Sequence, residues 1–320
     1  MTFRVFDQDV PGLFRDTMLD AVMASPGELL WLDVLSPTAA EIHQLAGVFA
    51  FHPLAIEDCL APHLHTPKID EFGEYLFVVV AAMVPSATQP EMEELDLFLS
   101  NDFLITYHDG PGAPPSIAEV AHALAQGVTI RPGVDGLMYE ILDRSVDAIF
   151  PRVSAMSEEL DEVEDRIVTE GVAGMEHRRI LELRSLAGRV RRLIVPEQNL
   201  MLRLGRGEFH LVQPANHVYY RDIYDHLVRV DMALEELRED AEVALSTYLS
   251  ALNNRMNEVM KVLAVVGALA LPATVITGIF GTNFDDIPGL HSNWGFAAMM
   301  AAMAAIAGSM AYIFHRRGWF

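Results

Sequence analysis

The chain has 320 residues, 51% of them hydrophobic, and a formal net charge of −23. This length can fill more than one domain core, and the acidity argues against a nucleic-acid partner and favours a role near cations. The single cysteine, Cys59, excludes a disulfide scaffold and is typical of a protein in a reducing compartment.

Short β-rich runs alternate with helical patterns over residues 1–135, which predicts a mixed α/β domain. Runs of β-branched and aromatic residues predict strands at 29–34, 74–84, 96–100 and 102–108. Helical spacing predicts helices at 37–50, with Pro37 in the first turn, and at 116–127. The acidic run at 91–96 is interpreted as a solvated entry to the third strand.

Metal-ligand residue types are concentrated between positions 52 and 65. The residues are His52, Glu57, Asp58, Cys59, His63 and His65. A zinc site is one interpretation of this cluster. The spacing matches no standard zinc motif, however, which counts against this interpretation.

From Gly136 onward the sequence is helical, and residues 136–261 are predicted to form a stalk domain. Two charged helices are expected at 137–168 and 175–204, separated by the glycine-containing stretch 170–174. A long helix then begins near Ala215 and runs to Phe280, a length of roughly 100 Å. Its apolar positions approximate a heptad seam and predict neighbouring helices, contributed by other copies of the chain. The seam residues are Ile223, Leu227, Val230, Leu234, Leu237, Ala241, Leu245, Tyr248 and Leu252.

Residues 262–320 are predicted to be a membrane domain, because the runs 262–284 and 294–314 contain no charge. Basic residues flank both spans on one side, and the loop between them has no Lys or Arg. The positive-inside rule therefore places both termini in the cytoplasm and the loop outside the cell (inner) membrane. A buried helical hairpin in a soluble protein is the alternative, but two uncharged runs of this length are rare in soluble folds.

The first span contains polar features that lipid anchoring does not require. Pro272 removes a backbone donor, and Thr274 and Thr277 carry hydroxyls, which either face a pathway or bond back to their own helix. The second span is almost purely apolar and is predicted to face lipid. Two helices cannot enclose a water-filled path, so a pore requires an oligomer.

Several segments together resemble the CorA family of divalent-metal channels. They are NRMNEVMKVL (254–263), the span with Pro272, GTNFDDIPGL (281–290), the terminal HRRGWF, and, earlier in the chain, FHPLAIEDCL, PKIDEFGEYLFVVV and YYRDIYDH. The resemblance implies an α+β fold with a cytoplasmic α/β domain, a long helical stalk and two transmembrane helices, assembled as a homopentameric funnel. No hydrolase or P-loop motif is present, so the chain is predicted not to be an enzyme and to need no cofactor.

The family signature is Gly-Met-Asn, and this chain has Gly281, Thr282 and Asn283 at those positions. The resemblance implies that these residues form the selectivity filter. Asp285 and Asp286 would form an acidic ring outside it, because the family's Met-Pro-Glu stretch is absent here. The ZntB-like branch also varies the middle signature position, so a proton-coupled Zn²⁺ transporter is an open alternative.

The resemblance also assigns residues to the pore wall and to regulation. The pore-lining set is Asn257, Met260, Leu263, Leu271, Thr274 and Gly278, in which the two leucines would form a hydrophobic gate. Asp222 matches a family position that binds a regulatory ion, whereas a further family carboxylate is replaced by Ser246. The predicted function is passage of hydrated divalent cations, Mg²⁺ first and Co²⁺, Ni²⁺ or Zn²⁺ as options. A membrane-anchored sensor or scaffold is the runner-up.

Overall fold

The computed structural model of the protein describes residues 4–6, 30–61, 64–84, 91–109, 114–169, 171, 174–282, 287–289 and 292–319. The chain forms two compact units. The first combines Met1–Val163 with His177–Ala244, and the second combines Glu164–Glu176 with Leu245–Phe320. Each unit is described by itself below.

A six-stranded mixed sheet forms the centre of the first unit. Its strands are β1 (Arg4–Phe6), β2 (Leu30–Leu35), β3 (Lys68–Phe72), β4 (Tyr75–Val84), β5 (Glu91–Ser100) and β6 (Phe103–His108). The order across the sheet is β1-β2-β6-β5-β4-β3. β2 pairs in parallel with β1 and β6, and the remaining pairs are antiparallel. The four predicted strands are confirmed, and β1 and β3 are additional.

Strand β4 is buried along its whole length because both faces of the sheet are covered. On one face, α1 (Ala39–Phe49) and α2 (Pro53–Cys59) form a core with Val34, Phe77 and Phe98. α4 (Val134–Asp147) packs against β4, β5 and β6. The acidic run 91–96, which forms the first part of β5, was predicted to be a solvated strand entry, and this is wrong for Asp96: the residue is fully buried because β5 lies inside the sheet, between β4 and β6.

Helix boundaries follow local capping chemistry. α1 begins after Thr38, whose side chain and backbone exchange hydrogen bonds with Glu41 in a capping box, so Pro37 lies before the helix rather than in its first turn. α2 was not predicted because a seven-residue helix leaves little periodic signal. α3 (Pro115–Ala125) occupies most of the predicted 116–127 helix.

The predicted helix at 137–168 is two helices, α4 and α5 (Ile149–Thr169), with a break at Ala148. The cause is Pro151, which has no N–H to donate to the carbonyl of Asp147 one turn earlier. α6 (Glu176–Gly205) confirms the next predicted helix. It begins after the stretch 170–174, as predicted.

The long helix α7 (His217–Phe280) and the final helix α8 (Gly295–Arg316) match the predicted elements closely. The predicted seam of α7 is buried from Ile223 to Ala241. Its neighbour there is α6 of the same chain, since Arg191 binds Asp231 at 2.7 Å and Gln198 donates to the carbonyl of Leu227 at 3.0 Å. The expectation that other copies cover this part of the seam is therefore wrong.

Candidate ion pathway and metal cluster

The first candidate span is the end of α7, where the chain has no charge after Lys261. All the predicted pore-lining residues are exposed in the single chain: Asn257, Met260, Leu263, Leu271, Thr274 and Gly278. At about 100° of rotation per residue, they fall within about a third of the helix circumference. They therefore form one continuous face, which we call the open face.

The opposite side of this helix segment is less exposed. Its buried or partly buried residues are Val265, Ala268, Leu269, Pro272, Ala273, Ile276 and Phe280. α8 shows a matching stripe of partly buried residues at Gly295, Met299, Met303, Ile306, Met310, Ala311 and Phe314. Two helices that pack along one stripe each produce this pattern. The open face points away from that contact.

Hydroxyl groups on the first span are satisfied by their own helix. Thr274 donates to the carbonyl of Ala270 at 2.9 Å, and Thr277 donates to the carbonyl of Ala273 at 2.9 Å. This is the back-bonding alternative left open by the sequence. Because each hydroxyl already donates its hydrogen bond to its own helix, its oxygen can only accept further hydrogen bonds, for example from a water molecule.

Pro272 changes the backbone within the same segment. It lies inside α7 and has no N–H, so the carbonyl of Ala268 lacks its usual intrahelical donor. In a membrane such a carbonyl is tolerated where protein or water can satisfy it.

The first span ends at the predicted filter. α7 stops at Phe280, the Gly281 amide donates to the carbonyl of Thr277 at 2.9 Å, and the Thr282 hydroxyl donates to the carbonyl of Ile279 at 2.8 Å. Asn283, Asp285 and Asp286 lie outside the described residues, so their assignments stay predictions.

The turn before α8 depends on two glycines. Gly289 has a φ of +88°, and a Cβ at Gly295 would collide with the carbonyl oxygen of Gly289. The turn is closed by the Ser292 amide, which donates to Gly289 at 3.2 Å, and by the Gly295 amide, which donates to Ser292 at 3.0 Å. Side chains larger than hydrogen would open it.

A second candidate site lies in the first unit, between α4 and α7. One ligand atom each from Asp143, Asp222 and His226 lies within 4.8 Å of the others. His226 also places Nδ1 3.2 Å from Oδ1 of Asp147. In the part of the chain that the structure describes, this is the one group of at least three such donors that comes so close together.

The electrostatics of this cluster favour a bound cation. Burial, followed by the nearby charge of Asp147, raises the pKa of Asp143. A divalent ion would offset both effects, since it stabilises the ionised carboxylate. A cavity of about 290 Å³ lies beside the cluster, lined in part by Asp147, Phe150, His226 and Arg229. Carboxylate oxygens suit Mg²⁺, and the imidazole also admits transition ions.

Only Asp222 in this cluster was identified from sequence. His226 had a local signal, because it follows Asp222 by four residues on a helix and so lies on the same face. Asp143 had no local sequence signal, because it lies on α4, 79 positions before Asp222.

The metal-ligand types at 52–65 do not act as one group. The His52 ring accepts a hydrogen bond from the Leu54 amide at 3.2 Å and stacks on Phe72, so it caps α2. Asp58 binds Lys68 at 2.6 Å. Cys59 and His65 turn towards the acidic residues of β5, whereas Glu57 is exposed and His63 lies outside the described residues.

The architecture is that of a two-span membrane protein with an α/β domain and a long helix that ends in the first span. The family model described as "CorA-like Mg2+ transporter protein" matches residues 26–316. The chain therefore belongs to the CorA-like Mg²⁺ transporter family. This agrees with the resemblance found in the sequence.

Individual relatives support the same assignment. The chain is 33% identical to YfjQ of Bacillus subtilis over 291 residues, which covers 91% of this chain and 89% of YfjQ. It is 28% identical to the cobalt/magnesium transport protein CorA of Thermotoga maritima, covering 90% of this chain and 83% of that protein. The structure of the CorA magnesium transporter from Methanocaldococcus jannaschii matches with a TM-score of 0.82 at 22% identity and covers 92% of both chains. That likeness shows the fold.

Proposed function

We propose that the protein is a homopentameric channel that moves hydrated divalent cations, with Mg²⁺ as the main substrate. The open face of the first span carries the proposal. It presents Thr274 and Gly278 in a segment without charge, and Asn257 just before that segment, on a helix side that α8 leaves uncovered. Lipid does not require polar atoms there, whereas a ring of such faces around an axis would line a water-filled path.

The lining suits an ion that keeps its water. Mg²⁺ loses water reluctantly, and the hydroxyl of Thr274 and the amides of Asn257 and Asn283 are neutral groups that can hydrogen-bond a hydration shell. Asp285 and Asp286 from each copy would raise the local cation concentration outside the filter Gly281–Asn283. An inside-negative potential then supplies roughly 4.6 kcal/mol per divalent ion at 100 mV, and no energy-coupling site is needed.

The proposal includes an arrangement in the cell (inner) membrane with both termini in the cytoplasm. Its domains are 1–135 and 136–261 in the cytoplasm and 262–320 in the bilayer. The support is the absence of Lys and Arg between the spans and the presence of Arg316 and Arg317 after the second. Ser292→Cys should react with an impermeant thiol reagent from outside intact cells, and labelling from the cytoplasmic side alone would reverse the orientation.

Flux through the purified protein tests the function directly. Liposomes that contain only this protein should take up Mg²⁺ in response to an inside-negative potential. Thr274→Val keeps the side-chain shape and removes the hydroxyl, so flux should fall by roughly tenfold, or about 1.4 kcal/mol. Ser309→Ala is the matched control, because it removes a back-bonded hydroxyl from the second span and should leave flux unchanged. If liposomes with the wild-type protein take up Mg²⁺ no faster than empty liposomes, the proposal is wrong.

The same liposomes separate the alternatives. This chain is 20% identical, over 278 residues, to the zinc transport protein ZntB of Cronobacter sakazakii. Proton-coupled Zn²⁺ transport predicts Zn²⁺ uptake that depends on a pH gradient and exceeds Mg²⁺ uptake. A sensor or scaffold predicts no uptake of Mg²⁺, Co²⁺, Ni²⁺ or Zn²⁺. The mass of the detergent-solubilised protein should be about five times 35.5 kDa, and a stable monomer would exclude the pore.

A further inference from the structure

The end of α8 is an ordered, hydrogen-bonded turn. The Gly318 amide donates to the carbonyl of His315 at 3.1 Å, and the Trp319 amide donates to the carbonyl of Phe314 at 3.0 Å. Gly318 has a φ of +68°, a conformation that glycine adopts without strain. The two hydrogen bonds and the glycine together form a Schellman motif, which closes the last turn of a helix and fixes the residues that follow it.

The same turn brings two aromatic rings together. The Trp319 ring stacks on the Phe314 ring, with centroids 5.3 Å apart and an angle of 20° between the ring planes. Trp319 remains 36% exposed, and its indole N–H has no hydrogen-bonding partner within the described chain. Tyr312, two residues before Phe314, is 62% exposed. Amphipathic rings such as these favour the boundary between the headgroups and the acyl chains of a bilayer.

Two arginines lie on this turn, between the two ring residues in the sequence. Arg316 and Arg317 are both exposed, and neither forms an ion pair with a described residue. α8 itself contains no Asp or Glu that could neutralise them. Membrane orientation and the helix dipole both favour basic residues at this position, but neither requires the ordered ring pair beside them.

A third basic group lies at a similar depth on α7. Lys261 is 19 positions before the last residue of α7, and Phe314 is 19 positions after the first residue of α8. Because both helices rise about 1.5 Å per residue from the loop that joins them, Lys261 and Phe314 lie near the same level. Lys261 is exposed and has no ion pair in the described part of the chain. The nearest carboxylate on α7, Glu258, is about one turn further from the span.

We propose that this end of α8 binds the headgroup of an anionic phospholipid. Arg316 and Arg317 contact the phosphate, and the stacked rings lie against the upper part of the acyl chains. A guanidinium group binds phosphate oxygens through paired N–H donors, and no carboxylate competes for it here. The indole N–H of Trp319 donates to an oxygen of the headgroup or ester, and Lys261 adds positive charge at the same level. This site lies on α8, whereas the open face lies on α7.

Lipid binding to the detergent-solubilised full chain tests the proposal. Native mass spectrometry should show that phosphatidylglycerol, which is anionic, binds at least about tenfold more tightly than phosphatidylcholine, which is zwitterionic. Arg316→Gln combined with Arg317→Gln should weaken phosphatidylglycerol binding by roughly thirtyfold, because each basic group near an anionic lipid contributes about a factor of five. Trp319→Leu stays apolar but removes the stacked ring and its N–H, so it should weaken binding of this lipid by a few-fold.

The control is Arg152→Gln combined with Arg206→Gln, which removes two charges from exposed positions of the first unit and should bind both lipids as the wild type does. Inorganic phosphate or glycerol 3-phosphate at the same concentration should not displace phosphatidylglycerol. If either does, the site takes a soluble anion and the proposal is wrong. Equal affinity of the wild type for the two lipids, or an unchanged lipid preference in the Arg316 and Arg317 double variant, would also overturn it. None of these measurements depends on ion flux.

Discussion

Two portions of the same helix, α7, have opposite surroundings. In the stalk portion, residues 217–252, apolar side chains such as Leu227 and Leu234 are buried and charged residues lie outside. In the span portion, residues 262–280, apolar side chains such as Leu263 and Leu271 are more than half exposed. A helix that is apolar on all sides needs a nonpolar environment or other helices around it.

A single chain supplies the packing partner of the stalk portion but covers only part of the span portion. The stalk portion finds its packing partner in α6 of the same chain. The span portion has α8 along one stripe and nothing described along the open face. The partners of the span portion are therefore the bilayer and, under the proposed function, other copies of the chain.

The largest expected effect is at the end of the span portion. Asn283→Ala removes the amide that would hold the hydration shell, so Mg²⁺ flux should fall to the rate of empty liposomes. Asn283→Asp should raise apparent affinity and slow release. Asn293→Ala changes an exposed asparagine at the end of the loop between the spans and should leave flux unchanged. If Asn283→Ala assembles and transports normally, the residue is a helix cap and the filter lies elsewhere.

A paired substitution measures the difference between covered and uncovered leucines. Leu234→Ala should lower the free energy of unfolding by about 2–5 kcal/mol, because it leaves a cavity in a fully buried site. Leu249→Ala on the same helix, at a position 50% exposed, should cost well under half as much. Denaturant unfolding of the detergent-solubilised variants gives both values, and equal losses would contradict the comparison.

The covered region also contains a carboxyl group whose titration should be visible. Glu197 on α6 is 0% exposed, and within the described chain its oxygens have no hydrogen-bonding partner of normal geometry. Burial raises the pKa of Glu197 from 4.5 to about 8. The folded protein therefore keeps a proton that the unfolded chain loses, and this contribution to stability declines from about pH 4.5 to pH 8.

The expected slope within this window is about 1.4 kcal/mol per pH unit. Glu197→Gln carries no titratable proton and should lack this slope, so the difference between its free energy of unfolding and the wild type's should change with pH by that amount. Glu162→Gln, on an exposed position of α5, should keep the wild-type slope. Identical pH dependence in wild type and Glu197→Gln would show that the buried group does not titrate in this range.

The smallest expected effect concerns regulation by the Asp143 cluster. If an ion there stabilises a closed state, Asp222→Ala should increase Mg²⁺ flux a few-fold when internal Mg²⁺ is high, because the ion loses a carboxylate ligand. His226→Ala should have a similar effect, while Asp225→Ala, a neighbouring carboxylate outside the cluster, should not. Equal inhibition of all variants by internal Mg²⁺ would remove the cluster from the mechanism.

Most of the helical architecture was readable from local sequence signals. The spacing of apolar residues located α6 and α7, and uncharged runs located both candidate spans. The break at Ala148 was missed, although Pro151, which cannot donate to the preceding turn, gives a local signal for it. Strands β1 and β3 and helix α2 were not predicted, because elements of three to seven residues carry little periodicity.

The sites were less accessible to sequence analysis. Asp143 and Asp222 come together only because α4 and α7 pack side by side, and a single sequence does not encode that pairing in any local pattern. A charged run such as 91–96 predicts solvent exposure from the sequence alone. Only the order of the strands in the sheet shows which residues of the run are buried.

The back-bonded threonine on the open face also bears on the sign of the charge that can pass. Thr274 directs its O–H dipole along the helix towards the carbonyl of Ala270, so the outward side of its oxygen is the negative end. A ring of such oxygens, one from each copy, repels anions and attracts the positive side of a hydrated cation. Under the proposed function, chloride is rejected by the helix itself, before any filter residue distinguishes one cation from another.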